Sequence, residues 1–380
     1  MLELSPSHPL FRRSGRWTQT STGSLIASWS GASVSFTCRA SSTSAVRIRM
    51  GALTQRKDRE NGGTPMIACS VSGADGQRLV LTREPLCGDP VLTLLKESDL
   101  LRGVSKDGTL DVTITMIDWA SVLELETIVF ETADGDLPIV PASDAQALQV
   151  LFVGDSMLCG FTDGTRQIPN GCLDAFPYLF WRDLRSYLSL NIAVDVVALP
   201  GVTLVDHPDE HDKTTVVRGM AHKFFKAFPW DNDGLDQVID SGRKPSVIVI
   251  ALGTNDEAMG VSAEDFINTM RAFVTRLLVT DTSAHRVKHI CFIHPFKDFG
   301  DVPETSLGPS FPKLLETLSR DFQHAQKDIT LHSWDTGAVL LQEHTIDGIH
   351  PTVEGHRILG QELSRVLLPI VAGMSYGGVK

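Results

Sequence analysis

The spacing of apolar residues changes part-way along the chain, and that change limits the fold more than any other feature. Before about Asp134, apolar and polar residues alternate: Val34, Phe36 and Cys38 with Ser33, Ser35 and Thr37, and Val112, Ile114 and Met116 with Asp111, Thr113 and Thr115. Val46, Ile48 and Met50 do the same against arginines. A period of two places one face of a strand in a core and the other in water. Asn61-Gly62-Gly63, Gly73-Ala74-Asp75-Gly76 and Lys106-Asp107-Gly108 read as turns between such strands. Many short strands without helical patterns between them predict an antiparallel sandwich.

Asp134-Gly135-Asp136-Leu137-Pro138 and Pro141-Ala142-Ser143 read as a connection. Beyond it come unbroken apolar runs, Val150 to Val153, Val194 to Leu199, Val247 to Leu252 and Ile290 to Ile293. Such runs predict strands buried on both faces, as in a parallel sheet covered by helices. Helices are expected over Asp174 to Leu188, over Ala263 to Leu278, and after His350, with Pro351 in the first turn and Leu359, Leu363 and Leu367 on one side. This half is expected to be a doubly wound α/β domain. A chain of 380 residues exceeds one ordinary hydrophobic core, so two domains are expected, 1–140 and 141–380.

The formal net charge of -12 repels phosphate backbones and anionic headgroups, which argues against nucleic-acid and membrane partners. The cations of Arg47 to Arg59 read as a solvated loop, and no apolar stretch approaches the roughly 20 residues that span a bilayer. Met1 to Gly15 lacks a basic segment followed by an apolar core, so a cytoplasmic protein is expected unless a leader has been removed. The six cysteines form no CxxC pair; three sit in apolar strand patterns, and Cys159 and Cys172 bracket a loop where a disulfide is one reading.

In an open parallel sheet, ligands bind beyond the carboxyl ends of the strands. Gly154-Asp155-Ser156 follows the first strand of this half, Gly253-Thr254-Asn255-Asp256 follows a third, and Asp347-Gly348-Ile349-His350 precedes the last helix. A serine hydroxyl needs a base to take its proton as it attacks. His350 suits that task, and Asp347 can orient its ring and stabilise the imidazolium. Asn255 carries an amide suited to the oxyanion of a tetrahedral intermediate, and the backbone N–H groups of Ser156 and Gly201 can complete the hole.

These blocks resemble the SGNH (GDSL-type) hydrolase superfamily, whose four signature residues match Ser156, Gly201, Asn255 and His350 in order, across about Leu148 to Leu367. The resemblance implies a flavodoxin-like SGNH domain with a parallel sheet. With its β-rich first part, and fragments such as Gly15-Arg16-Trp17 and Trp29-Ser30-Gly31, the chain is similar to carbohydrate esterase family 2. That similarity implies an all-β jelly-roll domain ahead of the hydrolase domain. Some members of that family lack the carboxylate of the triad, whereas Asp347 is present here.

Plainer readings stand beside these. A Gly-Asp-Ser tripeptide arises by chance about once in ten chains of this length; three blocks in order at strand ends do not. Gly201 also reads as a turn glycine, and Asp155 and Asp256 as residues that hold loops. Trp334, Trp230 and His294 are candidate substrate contacts, each with a packing role as the alternative. The loop His207-Pro208-Asp209-Glu210-His211-Asp212 reads as a solvated acidic loop rather than a metal site. The expected activity is cofactor-free and metal-independent hydrolysis of a small-molecule or saccharide ester, with acetyl groups on a carbohydrate as the first substrate class. Natural-product or lipid esters, acyl transfer to an alcohol, and a non-catalytic carbohydrate-binding protein are the rivals.

Overall fold

The computed structural model describes residues 1–58, 64–72, 78–102, 108–132, 137–141, 148–162, 168–188, 192–230, 244–280, 287–300, 307–325 and 327–376. The turn signals at Asn61–Gly63 and Gly73–Gly76, most of Lys106–Gly108, and much of the connection lie outside these residues. The chain divides into two compact units, Met1–Ala145 with Pro169–Gly171, and Gln146–Ile168 with Cys172–Lys380.

The first unit is antiparallel. One sheet runs in the order Val91–Lys96, Thr43–Met50, Ser121–Thr132, Leu25–Ala27, Thr18–Gln19, and the other in the order Ile139–Val140, Ser33–Arg39, Thr109–Met116, Ile67–Ser72, Arg78–Arg83. The alternation read from the sequence decides which side chains meet. Val34, Phe36, Cys38, Val112, Ile114, Met116, Val46, Ile48 and Met50 all join one buried cluster shared by both sheets. Arg47 and Arg49 lie on a strand rather than in a loop, on its outer face, where they pair with Glu131 and Glu3. The Trp29 ring, 1% exposed, lies under the Arg16 guanidinium.

The second unit holds a parallel sheet of β1 (Leu148–Gly154), β2 (Ile192–Ala198), β3 (Val247–Ala251), β4 (His289–Ile293) and β5 (Thr330–Trp334). Their order is β2-β1-β3-β4-β5. Register places Phe152, Val249 and Cys291 on one face and Val153, Ile250 and Phe292 on the other. Both faces are covered, which is why these strands read as unbroken apolar runs. On the first face Phe152 meets Phe180 of α1 (Phe176–Leu188), and α1 packs on α4 (Val353–Tyr376). On the second, Phe292 meets Phe311 of α3 (Phe311–His324), which in turn meets Phe266 of α2 (Ala263–Thr280).

Leu359, Leu363 and Leu367 of α4 are fully buried, as their spacing predicts. Pro351 lies outside the helix, contrary to expectation, because it forms an isolated bridge with Thr345. The residues Gly154, Ala198, Ala251, Ile293 and Trp334 align at the carboxyl ends of the strands. The strand order reverses beside β1, so the loops after β1 and β3 flank the switch point where such sheets bind ligands.

Candidate active site

Asp155 leaves β1 as the N-cap of a single helical turn, Ser156–Cys159, and its Oδ1 accepts the Met157 N–H at 3.1 Å. Position 154 has no room for a side chain, since a Cβ there would sit 2.3 Å from Leu158 Cδ1 and 2.6 Å from the Ala251 carbonyl oxygen. Glycine at this point lets the turn close directly over β1 and β3, and Ser156 stands at the strand end, 5% exposed.

The segment before α4 folds back on itself. The Ile346 N–H donates to the His350 carbonyl at 2.7 Å, and Asp347 Oδ1 accepts the N–H groups of Ile349 at 3.1 Å and His350 at 2.9 Å. This brings His350 Nε2 to 2.9 Å from Ser156 Oγ, with Nδ1 2.7 Å from Asp347 Oδ2. A carboxylate at Nδ1 selects the tautomer with its hydrogen there, leaving Nε2 as the acceptor for the serine hydroxyl. Partial burial pushes the Asp347 carboxyl up, but the His350 ring and backbone N–H, the His350 charge and the Ile349 N–H together hold it below the usual range. The Phe161 ring lies against the imidazole, 4.2 Å between centroids.

Asn255 is the second residue of the short helix Thr254–Ala258, which the chain enters through Gly253 at φ 123°, a conformation that favours glycine. Asn255 Nδ2 donates to the Val202 carbonyl at 3.0 Å and to Asp155 Oδ2 at 3.3 Å, so one amide ties together the loops after β1, β2 and β3. The next residue, Asp256, is fully buried and accepts the N–H groups of Leu204 at 2.8 Å and Val205 at 3.1 Å. Burial raises both carboxyls. That of Asp155 reaches about 7, opposed by the Met157 N–H and helped by the Asp256 charge; that of Asp256 rises against the pull of Leu204 and Val205. Asp155 and Asp256 therefore hold loops in place. Among the described residues the Gly201 N–H has no hydrogen-bond partner, and Gly201 shares with Asn255 the wall of a cavity of about 340 Å³.

The structure thus brings Ser156, His350 and Asp347 together on one side and Asn255 and Gly201 on the other. The three candidate substrate contacts do not line that cavity. His294 turns its ring onto Phe311 of α3, 4.5 Å away, because the residue after β4 faces that helix. Trp334 stacks on His332 of its own strand at 5.5 Å. Trp230 follows Pro229, whose carbonyl accepts Lys223 Nζ at 2.6 Å. Cys159 and Cys172 are buried free thiols, not a disulfide. Phe161 and Val202 were not foreseen: a lone aromatic and a backbone carbonyl carry no sequence signal of their roles. Among the described residues no group of three or more His, Cys, Asp or Glu side chains is set to hold a metal ion. No described helix is long and apolar enough to cross a membrane.

Solved structures share this architecture over nearly the whole chain. A family two carbohydrate esterase from Cellvibrio japonicus matches with a TM-score of 0.68 at 18% identity, covering 98% of each chain. An acetyl xylan esterase from Butyrivibrio proteoclasticus matches at 0.67 and 13% identity, covering 98% of this chain and 100% of its own. A salicylyl-acyltransferase from a tetracycline biosynthetic pathway matches at 0.58 and 14% identity, covering 97% of each. No curated protein matches the chain in sequence. The model of the GDSL-like lipase/acylhydrolase family matches residues 152–358, more than half of the chain and all of the blocks that meet at the strand ends. The chain belongs to the GDSL-like lipase/acylhydrolase family and is a carboxylic ester hydrolase of the SGNH fold.

Proposed function

We propose that the protein removes acetyl or other short acyl groups from a carbohydrate by a serine mechanism, and that its first unit is a jelly-roll sandwich. The observation that carries the mechanism is the continuous relay from Ser156 Oγ through His350 to Asp347, at 2.9 and 2.7 Å. As Ser156 Oγ attacks the acyl carbonyl, its proton passes to His350 Nε2, and Asp347 stabilises the imidazolium. The oxyanion is met by the N–H groups of Ser156 and Gly201 and by the Asn255 amide, which exchanges its longer bond, the 3.3 Å contact with Asp155, for the substrate oxygen. When the tetrahedral adduct collapses, the imidazolium gives its proton to the leaving alcohol. Water, deprotonated by His350, then attacks the acyl-serine, and the acid departs as Ser156 regains its proton. No step in this sequence calls for a metal or a cofactor.

The carbohydrate assignment is supported by the family two carbohydrate esterase and the acetyl xylan esterase among the structural matches. The likeness to an acyltransferase makes an acceptor alcohol in place of water the second reading. Hydrolysis of a short-chain aryl ester by the wild type and by Ser156→Ala tests the mechanism; equal rates would end it. A panel of acetylated xylose and glucose derivatives against long-chain lipid esters tests the substrate, and preference for the lipid esters would overturn the carbohydrate reading. Product analysis with an added sugar acceptor separates transfer from hydrolysis.

A further inference from the structure

The cavity that Gly201 and Asn255 share has a mixed lining. Besides Gly201 and Asn255, Ala258, Met259 and Val217 supply apolar surface and His207, Asp209, Glu210 and His211 supply polar surface. The polar residues and Val217 belong to a small hairpin, His207–Pro208 paired with Val216–Val217, and the loop at its tip is held by hydrogen bonds. Asp209 Oδ1 accepts the N–H groups of His211 at 2.8 Å and Asp212 at 3.0 Å. Asp212 in turn accepts the hydroxyls of Thr214 at 2.6 Å and Thr215 at 2.7 Å. Those two carboxylates are therefore occupied in shaping the loop. Among the described residues the side chains of Glu210 and His211 make no such bond, so their polar atoms are available to a ligand.

We propose that this hairpin forms the subsite for the alcohol part of the ester, and that Glu210 makes it select neutral or amine-bearing saccharides over acidic ones. The inference rests on the carbohydrate reading above and narrows it. A lining that combines aliphatic side chains with hydrogen-bond acceptors suits a pyranose, which has an apolar C–H face and a rim of hydroxyl donors. A volume of about 340 Å³ accommodates a sugar ring. Glu210 gives that rim an ionised acceptor, which draws hydroxyl or ammonium donors and repels a uronic carboxylate. At about 4 Å in solvent-exposed surroundings one such charge is worth roughly fivefold in discrimination.

The experiment compares kcat/KM for an acetylated methyl glucoside and for the corresponding methyl glucuronide acetate, in the wild type, Glu210→Gln and Glu210→Lys. Taking the ratio of the two substrates within each protein cancels any general change in activity. The wild type is expected to favour the neutral sugar about fivefold or more. Glu210→Gln should reduce that preference about fivefold and Glu210→Lys about 25-fold, both by changing KM. Ratios that agree within twofold across the three proteins overturn the proposal. A wild type that hydrolyses aryl acetates but neither sugar ester overturns the carbohydrate reading instead, so the two failures are distinguishable.

Discussion

His356 gives the sharpest quantitative expectation. It sits in the first turns of α4 with none of its surface exposed, and its ring lies 6.3 Å from that of Phe176. Neither ring nitrogen has a hydrogen-bond partner among the described residues. Burial, with the nearby charge of His350 second, pushes its pKa down to about 3. The folded state therefore resists a proton that the unfolded chain accepts below about pH 6.5. A folded pKa below the unfolded one means that the unfolded chain binds more protons, so stability is complete above pH 6.5 and falls as the pH drops towards 3. At pH 5 this one side chain costs about 2 kcal/mol relative to pH 8. His356→Leu removes the titration and the two unpaired nitrogens together, so at pH 8 the variant should be as stable as the wild type or more so. Urea unfolding at both pH values measures the effect. The difference between variant and wild type cancels the other groups, including Asp155, whose raised pKa opposes the trend by favouring acid. The variant should gain about 2 kcal/mol on the wild type between pH 8 and pH 5. Curves that stay parallel within about 0.5 kcal/mol would refute the reasoning.

Other residues give simpler tests. Asp347→Asn keeps the size of the side chain but loses the charge that fixes the His350 tautomer, so kcat on an aryl acetate should fall about 10²-fold or more. Because its folded pKa is depressed, Asp347 stays ionised above the ordinary carboxylate range, and the wild-type rate should show no inflection from it between pH 5 and pH 8. Asp256→Ala strands the buried Leu204 N–H and the half-buried Val205 N–H, which should cost about 1–3 kcal/mol for the first and less for the second, and lower activity by loosening the Gly201 loop; calorimetry and kcat/KM read the two effects. Gly154→Ala drives a methyl into Leu158 and the Ala251 carbonyl, and a loss of about 1–3 kcal/mol in thermal unfolding is expected.

The parallel strands were legible because burial on both faces leaves an uninterrupted apolar run, as in Val247 to Ala251. β5 was not, since this edge strand, Thr-Leu-His-Ser-Trp, is only half-buried and its composition carries no such run. The helix α3 does carry a sequence signal: Phe311, Leu314, Leu318 and Phe322 recur at helical spacing and all are buried. Ser156, Asn255 and His350 were legible because each chemistry-bearing block follows or precedes a regular element in a fixed order. His294 and Trp334 lie against Phe311 and His332, contacts that residue type alone does not announce. The hairpin loop at His207–Asp212 is as exposed and acidic as it reads. Its place beside Asn255 is a property of the folded chain alone.

The central claim is that His350 activates Ser156 as the nucleophile. The most direct measurement is to treat the protein with a fluorophosphonate and map the adduct by tandem mass spectrometry, in the wild type and in His350→Ala. The account predicts one adduct, on Ser156, with a labelling rate about 10²-fold or more slower in His350→Ala. An adduct on another residue, or labelling of Ser156 at the same rate without His350, would contradict it.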